Sequence, residues 1–111
     1  TDMKKKMRAT MILRREIQKI RSGKWEELEE LEKKWQELER QAGHPEGKKR
    51  YRGMSAPHDL DTMIIEVEWE SFTTYEEVSA KIELEPGFAE LVARTEPLIE
   101  SMSYEFYTVL P

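Results

Sequence analysis

Glu66 and Glu68 stand two residues apart in "TMIIEVEWE", so on an extended strand both carboxylates point to the same side. Such a pair can divide acid and base work, one carboxyl raised in pKa by its neighbour and by burial while the other stays ionised. The same spacing is also the ordinary look of a charged sheet side neutralised by arginines. A second grouping is "HDLD", where His58 could serve as a base oriented by Asp59 or Asp61, or could join them as a metal ligand. Histidine and aspartate also occupy such turns for their hydrogen bonding. With no second histidine close by, His58 reads better as a polar residue at a cavity rim, and His44 in "GHPEG" reads as a surface residue. No metal site and no cofactor are expected. The chain has no cysteine, hence no disulfide, thiolate ligand or cysteine nucleophile. It also lacks a Gly-x-Ser-x-Gly turn and a phosphate-binding glycine loop.

The elements that must carry these residues follow from the apolar periods. Met7, Ala9, Met11 and Leu13 alternate with Arg8, Thr10 and Arg14, with Ile12 as the apolar intruder, which reads as a half-buried strand. After "RSG", Trp25, Leu28, Leu31, Trp35, Leu38 and Ala42 draw one stripe along a helix, ended by Gly43 and Pro45. "KKRYRGM" is a short polar edge strand whose Lys and Arg discourage foreign pairing. Met63, Ile65, Val67 and Trp69 alternate with Ile64, Glu66, Glu68 and Glu70, giving a strand with one oily and one largely acidic side. A second helix, capped by Ser71 or Thr73, carries Phe72, Tyr75, Val78 and Ile82. "LEPG" interrupts it, and a further helical stripe runs from Phe88 to Met102, kinked at Pro97. "SYEFYTVL" closes the chain as a strand. The order βαββαβ predicts one α+β domain over residues 1–111, a four-stranded antiparallel sheet with both helices on one side, the ferredoxin-like arrangement. The helix-facing side is expected to hold Met7, Ala9, Met11, Leu13, Met63, Ile65, Val67 and Trp69.

Composition bounds the partners. One domain fits 111 residues. No apolar run is long enough for a membrane span, and the basic start "TDMKKKMRATMI" has no signal-peptide apolar core, so a cytoplasmic protein is expected. A net charge of −5 argues against nucleic acid as the main partner, although "GKKRYRG" is locally basic. The charged fraction of 37% is compatible with a heat-adapted source. The glutamate-rich first helix is too short and too rich in Trp to require a coiled-coil partner.

"TMIIEVEWESFTTYEEV" followed by "PGFAELVARTEPLIESMSYEFYTVL" resembles the small dimeric α/β-barrel proteins of the antibiotic-biosynthesis-monooxygenase and NIPSNAP type. The resemblance implies a homodimer whose two sheets meet through their helix-free sides and enclose a cavity. Some proteins of this type are cofactor-free oxygenases, haem-degrading enzymes, isomerases or ligand-binding modules, and many have no assigned activity. Neither histidine lies on a predicted helix, which argues against haem. On that arrangement the cavity is expected to be lined by Arg8, Arg14, Arg52, Glu66, Glu68 and Tyr107, with Ile12 and Ile64 in the interface. The arginines would hold an anionic or polar small molecule. The alternatives are a cofactor-free monooxygenase or isomerase acting on a small phenol, quinol or lactone, with His58 or Glu68 as the base, and a purely structural dimer with no ligand.

Overall fold

Pairing with the oily strand fixes the phase of everything else. The computed structural model describes residues 11–111, and its central pair is β1 (Ile12–Ile20) antiparallel to β3 (Thr62–Trp69). The short β2 (Lys49–Arg52) flanks β3, and β4 (Ile99–Thr108) flanks β1, giving the order β2-β3-β1-β4 with every pair antiparallel. Helix α1 (Trp25–Gln41) lies between β1 and β2, and α2 (Phe72–Leu84) and α3 (Phe88–Thr95) lie between β3 and β4. This is the expected α+β ferredoxin-like arrangement, with its first and third strands at the centre.

The predicted stripe of α1 is its buried face: Leu28, Leu31 and Ala42 are core residues, with Trp25, Trp35 and Leu38 packed against them. Glu26 and Glu27 sit in its first turn, where carboxylates complement the helix dipole. Gly43 turns the chain with φ 84°, a conformation that side chains other than glycine rarely adopt. Of the two candidate caps for α2 it is Ser71 that acts, its Oγ accepting from the Thr74 amide at 3.1 Å. Val78 is buried and Tyr75 and Ile82 pack on the core, whereas Phe72 is exposed and lies against Tyr75 and Phe106. The third helix ends at Thr95, in a 3₁₀ turn over Glu96–Leu98. Pro97 cannot donate to a carbonyl one turn back, so the helix does not continue, and Ile99 and Met102 belong to β4 instead.

The oily side of β3 is as read: Met63, Ile65, Val67 and Trp69 are buried under the helices. The first strand is not. It runs to Ile20, and directly paired residues share a face, so Ile12, Arg14, Glu16 and Gln18 lie on the helix side opposite Trp69, Val67, Ile65 and Met63. Leu13, expected in the core, is on the open side with Arg15, Ile17 and Lys19. Met7, Arg8 and Ala9 lie outside the described residues. The alternation ending at Leu13 predicts the opposite phase, but Ile12 and Leu13 are adjacent apolars that interrupt it, and the strand takes its phase from Ile12 and Ile20.

Candidate functional site

The open side of the sheet holds Glu66, Glu68 and Ile64 on β3 and Tyr107 on β4, as expected. The cation that meets Glu66 and Tyr107 is Arg15, not Arg14. Arg15 donates to Glu66 Oε2 from Nε at 2.9 Å and from Nη2 at 2.7 Å. Its Nη1 lies 3.7 Å from Glu105 Oε1, and its Cζ lies 5.7 Å from the centroid of Tyr107. The Glu66 hydrogen bond raises the guanidinium pKa above its ordinary value. Tyr107 donates to Glu105 at 2.9 Å, a bond that holds its proton and moves its pKa upward.

Arg14, Arg52 and Ile12 must be reassigned from this face to the other. Ile12 packs on the core. On β2, Arg50 and Arg52 pair with Ile65 and Met63 and therefore face the helices. Arg50 binds Glu29 of α1, while Arg52 donates to the Leu60 carbonyl at 2.6 Å and lies over Trp25, 4.1 Å from its ring centroid. These are clamps between the edge strand and its neighbours. Arg8 lies outside the described residues. His58 is half-buried in the β2–β3 connection, beside Ile17, Lys19, Thr62, Ser101 and Ser103. It stands near the start of β3, and six residues of strand, about 20 Å, separate Thr62 from Glu68. The two proposed bases do not share one site.

A cavity of about 370 Å³ opens instead between the sheet and the helices. Its floor is the helix side of β1. Arg14 Nη2 lies 3.1 Å from Glu16 Oε1, and Gln18 Nε2 donates to the other oxygen of Glu16. The Arg14 guanidinium stacks near two phenol rings, 4.4 Å from the centroid of Tyr104 and 5.3 Å from that of Tyr75. Burial and the nearby Glu16 charge both raise the pKa of Tyr104. From α1 come Glu32, Trp35 and Glu39, and Lys48 crosses from the loop before β2 to pair with Glu32 and, at 3.0 Å, with Glu39. Trp35 Nε1 donates to Thr95 Oγ1 at 3.0 Å, tying α1 to α3 across the back wall. His44, half-buried rather than on the surface, presents its ring edge-on to Trp69 at 4.9 Å and also lines the cavity. Two polar atoms of the floor, Arg14 Nε and Gln18 Oε1, are buried without a hydrogen-bond partner.

Of the residues expected around a ligand, Arg8 lies outside the described residues, and of the other five the cavity contains Arg14 alone. Glu16, Gln18, Glu32, His44, Lys48 and Tyr104 were not anticipated. The signal for the first two is in the sequence: once the central strand is extended to Ile20, its core face carries Arg14, Glu16 and Gln18 between two isoleucines, and polar residues there need partners. Among the described residues there is no group of three or more His, Asp or Glu placed to hold a metal, and no helix is long and apolar enough to cross a membrane.

No family model matches the sequence, and no curated protein matches it. Solved structures do. A NIPSNAP family protein from Agrobacterium tumefaciens superposes with a TM-score of 0.73 at 22% identity, covering 91% of this chain and 85% of that one. An uncharacterised NIPSNAP-like domain protein from Burkholderia xenovorans gives 0.73 at 20% identity, over 93% and 86% of the two chains. A variant of SnoaB, a cofactor-independent oxygenase from Streptomyces nogalater, gives 0.67 at 11% identity, over 90% and 93%. The chain has the ferredoxin-like α+β fold that these NIPSNAP and oxygenase structures share.

Proposed function

We propose that the protein binds a small polar molecule in the cavity between its sheet and its helices, and that it does so as a homodimer of the α/β-barrel type. The observation that carries the reading is the polar floor of that cavity: a central strand places Arg14, Glu16 and Gln18 where a core would ordinarily be apolar, and leaves two buried polar atoms without partners. An open volume of about 370 Å³ falls in the range of small-ligand sites and speaks against a cavity filled by side chains. The open sheet face suits a second copy. It carries Ile17, Ile64 and Tyr51 beside the Arg15–Glu66–Glu105 network, so pairing would cover apolar area and satisfy charges together.

Native mass spectrometry of protein purified without added ligand tests this reading. A retained small molecule, lost in a variant with the cavity blocked by Val92→Trp, is the expected result. An identical mass profile in both proteins would count against the cavity.

The second reading is cofactor-free oxygenase or isomerase chemistry, favoured by the fold shared with SnoaB and by a carboxylate at the cavity floor. Glu16 would then be the base toward a bound phenol or quinol, with Arg14 and Gln18 orienting it. On this reading Glu16→Gln abolishes turnover while binding persists.

A further inference from the structure

The charge of the cavity narrows what it holds, given the reading that it is a ligand site. Among the described residues four carboxylates line it, those of Glu16, Glu32, Glu39 and Glu96, against two cations, Arg14 and Lys48. Both cations are engaged within the protein. Lys48 lies between Glu32 and Glu39, and Arg14 is paired with Glu16 and flanked by Tyr75 and Tyr104. Arg50 approaches Glu32 with Nε 3.9 Å from Oε1, but its terminal nitrogens are given to Glu29. Among the described residues, an incoming anion would therefore meet cations already paired and several carboxylates.

Gln18 supplies an independent observation. Its side chain lines the cavity with the residue only 7% exposed, its Nε2 is bound to Glu16, and its Oε1 is a buried acceptor that receives no donor. Glu32 is 8% exposed, and among the described residues its contacts all run through Oε1, which leaves Oε2 open to a further N–H. The lining also includes the aromatic side chains of Trp35 and Tyr104, the latter already carrying the Arg14 guanidinium over its ring.

We infer that the cavity takes a small organic cation, a protonated amine on an aromatic or apolar body, with its N–H groups directed to Gln18 Oε1 and the Glu32 carboxylate. Calorimetric titration at neutral pH with phenethylamine, 2-phenylethanol and phenylacetate tests this directly, because the three share a ring and differ in charge. The amine should bind at least tenfold more tightly than the alcohol, with the carboxylate weakest. Glu32→Gln and Gln18→Met should each weaken the amine fivefold or more and leave the alcohol unchanged. Should Glu32→Gln fail to fold by circular dichroism, Gln18→Met carries the test alone. If phenylacetate or the alcohol binds as well as the amine, the inference is overturned while the cavity remains a ligand site. Amine affinity unmoved by both substitutions also overturns it, as does binding by none of the three probes. The cavity reading itself fails separately, if a probe that does bind is located crystallographically outside the cavity.

Discussion

Arg14 and Arg15 are neighbours in sequence and opposites in role, because a strand sends successive side chains to opposite faces. Arg14 enters the cavity floor and Arg15 holds Glu66 on the open face. A double-mutant cycle on Arg14 and Glu68 should therefore give a coupling within about 0.3 kcal/mol of zero, while one on Arg15 and Glu66 should give up to about 1 kcal/mol, the value for a partly exposed pair. A coupling above about 0.5 kcal/mol between Arg14 and Glu68 would instead place Arg14 on the open face. Tyr104 offers a pH test. Its folded pKa is raised, so the protonated phenol is favoured in the fold, and its contribution to stability is complete below the free-tyrosine pKa and lost as pH rises through the higher folded value. In an ultraviolet tyrosinate titration, Tyr104→Phe should remove amplitude from the region above the free-tyrosine range; loss from the ordinary range instead would mean that burial and Glu16 do not act on it. At this scale the sequence was only half legible. Glu66, Glu68 and Tyr107 were placed on the correct face because β3 alternates without interruption, whereas Arg14 and Arg52 were not. A single phase error in β1 moves every side chain across the sheet, and the polar four-residue β2 carries no apolar alternation to fix its own phase.

At the scale of elements, long periodic runs were legible and breakpoints were not. The stripe of α1 and the oily side of β3 were recoverable because each repeats its period several times, while the end of α3 depended on one proline. Trp69 closes the oily row at 2% exposure, edge-on to both His44 and Tyr75. Trp69→Ala should cost about 3 to 5 kcal/mol in urea unfolding. A loss below about 1 kcal/mol would mean that its side chain is not in the core. The β2–β3 connection is set by close backbone packing at Gly53. A Cβ there would run into the Asp59 carbonyl oxygen, so backbone and not a flexible side chain would have to move. Gly53→Ala should destabilise by about 1 to 3 kcal/mol, as overpacking does; an unchanged unfolding midpoint would show that the loop yields freely. The same connection is latched by Asp59, which accepts from the Asp61 amide at 3.0 Å and binds Lys19. The lysine hydrogen bond lowers the Asp59 pKa, so this latch is present above the ordinary aspartate range and is lost as pH falls through the depressed value.

For the whole molecule, the two faces of one sheet divide the work. The helix side holds a cavity with a charged floor, and the open side displays Ile17 and Ile64 on the same face as the Arg15–Glu66–Glu105 cluster. If a second copy covers that face, light scattering should give a dimer mass at micromolar concentration, and Ile17→Asp should yield a folded monomer. A monomer mass for the unaltered protein would remove the barrel without touching the cavity. The topology was legible from element order, since βαββαβ leaves few economical arrangements. The cavity was not, because it is formed by residues from β1, α1, the β2 loop and α3 that no local pattern brings together. On the proposed function, ligands enter between sheet and helices. Its most direct test is a crystallographic soak of the unaltered protein with a panel of small amines, alcohols and carboxylates. Density is expected beside Arg14, Glu16 and Gln18, and density confined to the face of Glu66, Glu68 and Tyr107 would move the ligand site to the open side of the sheet.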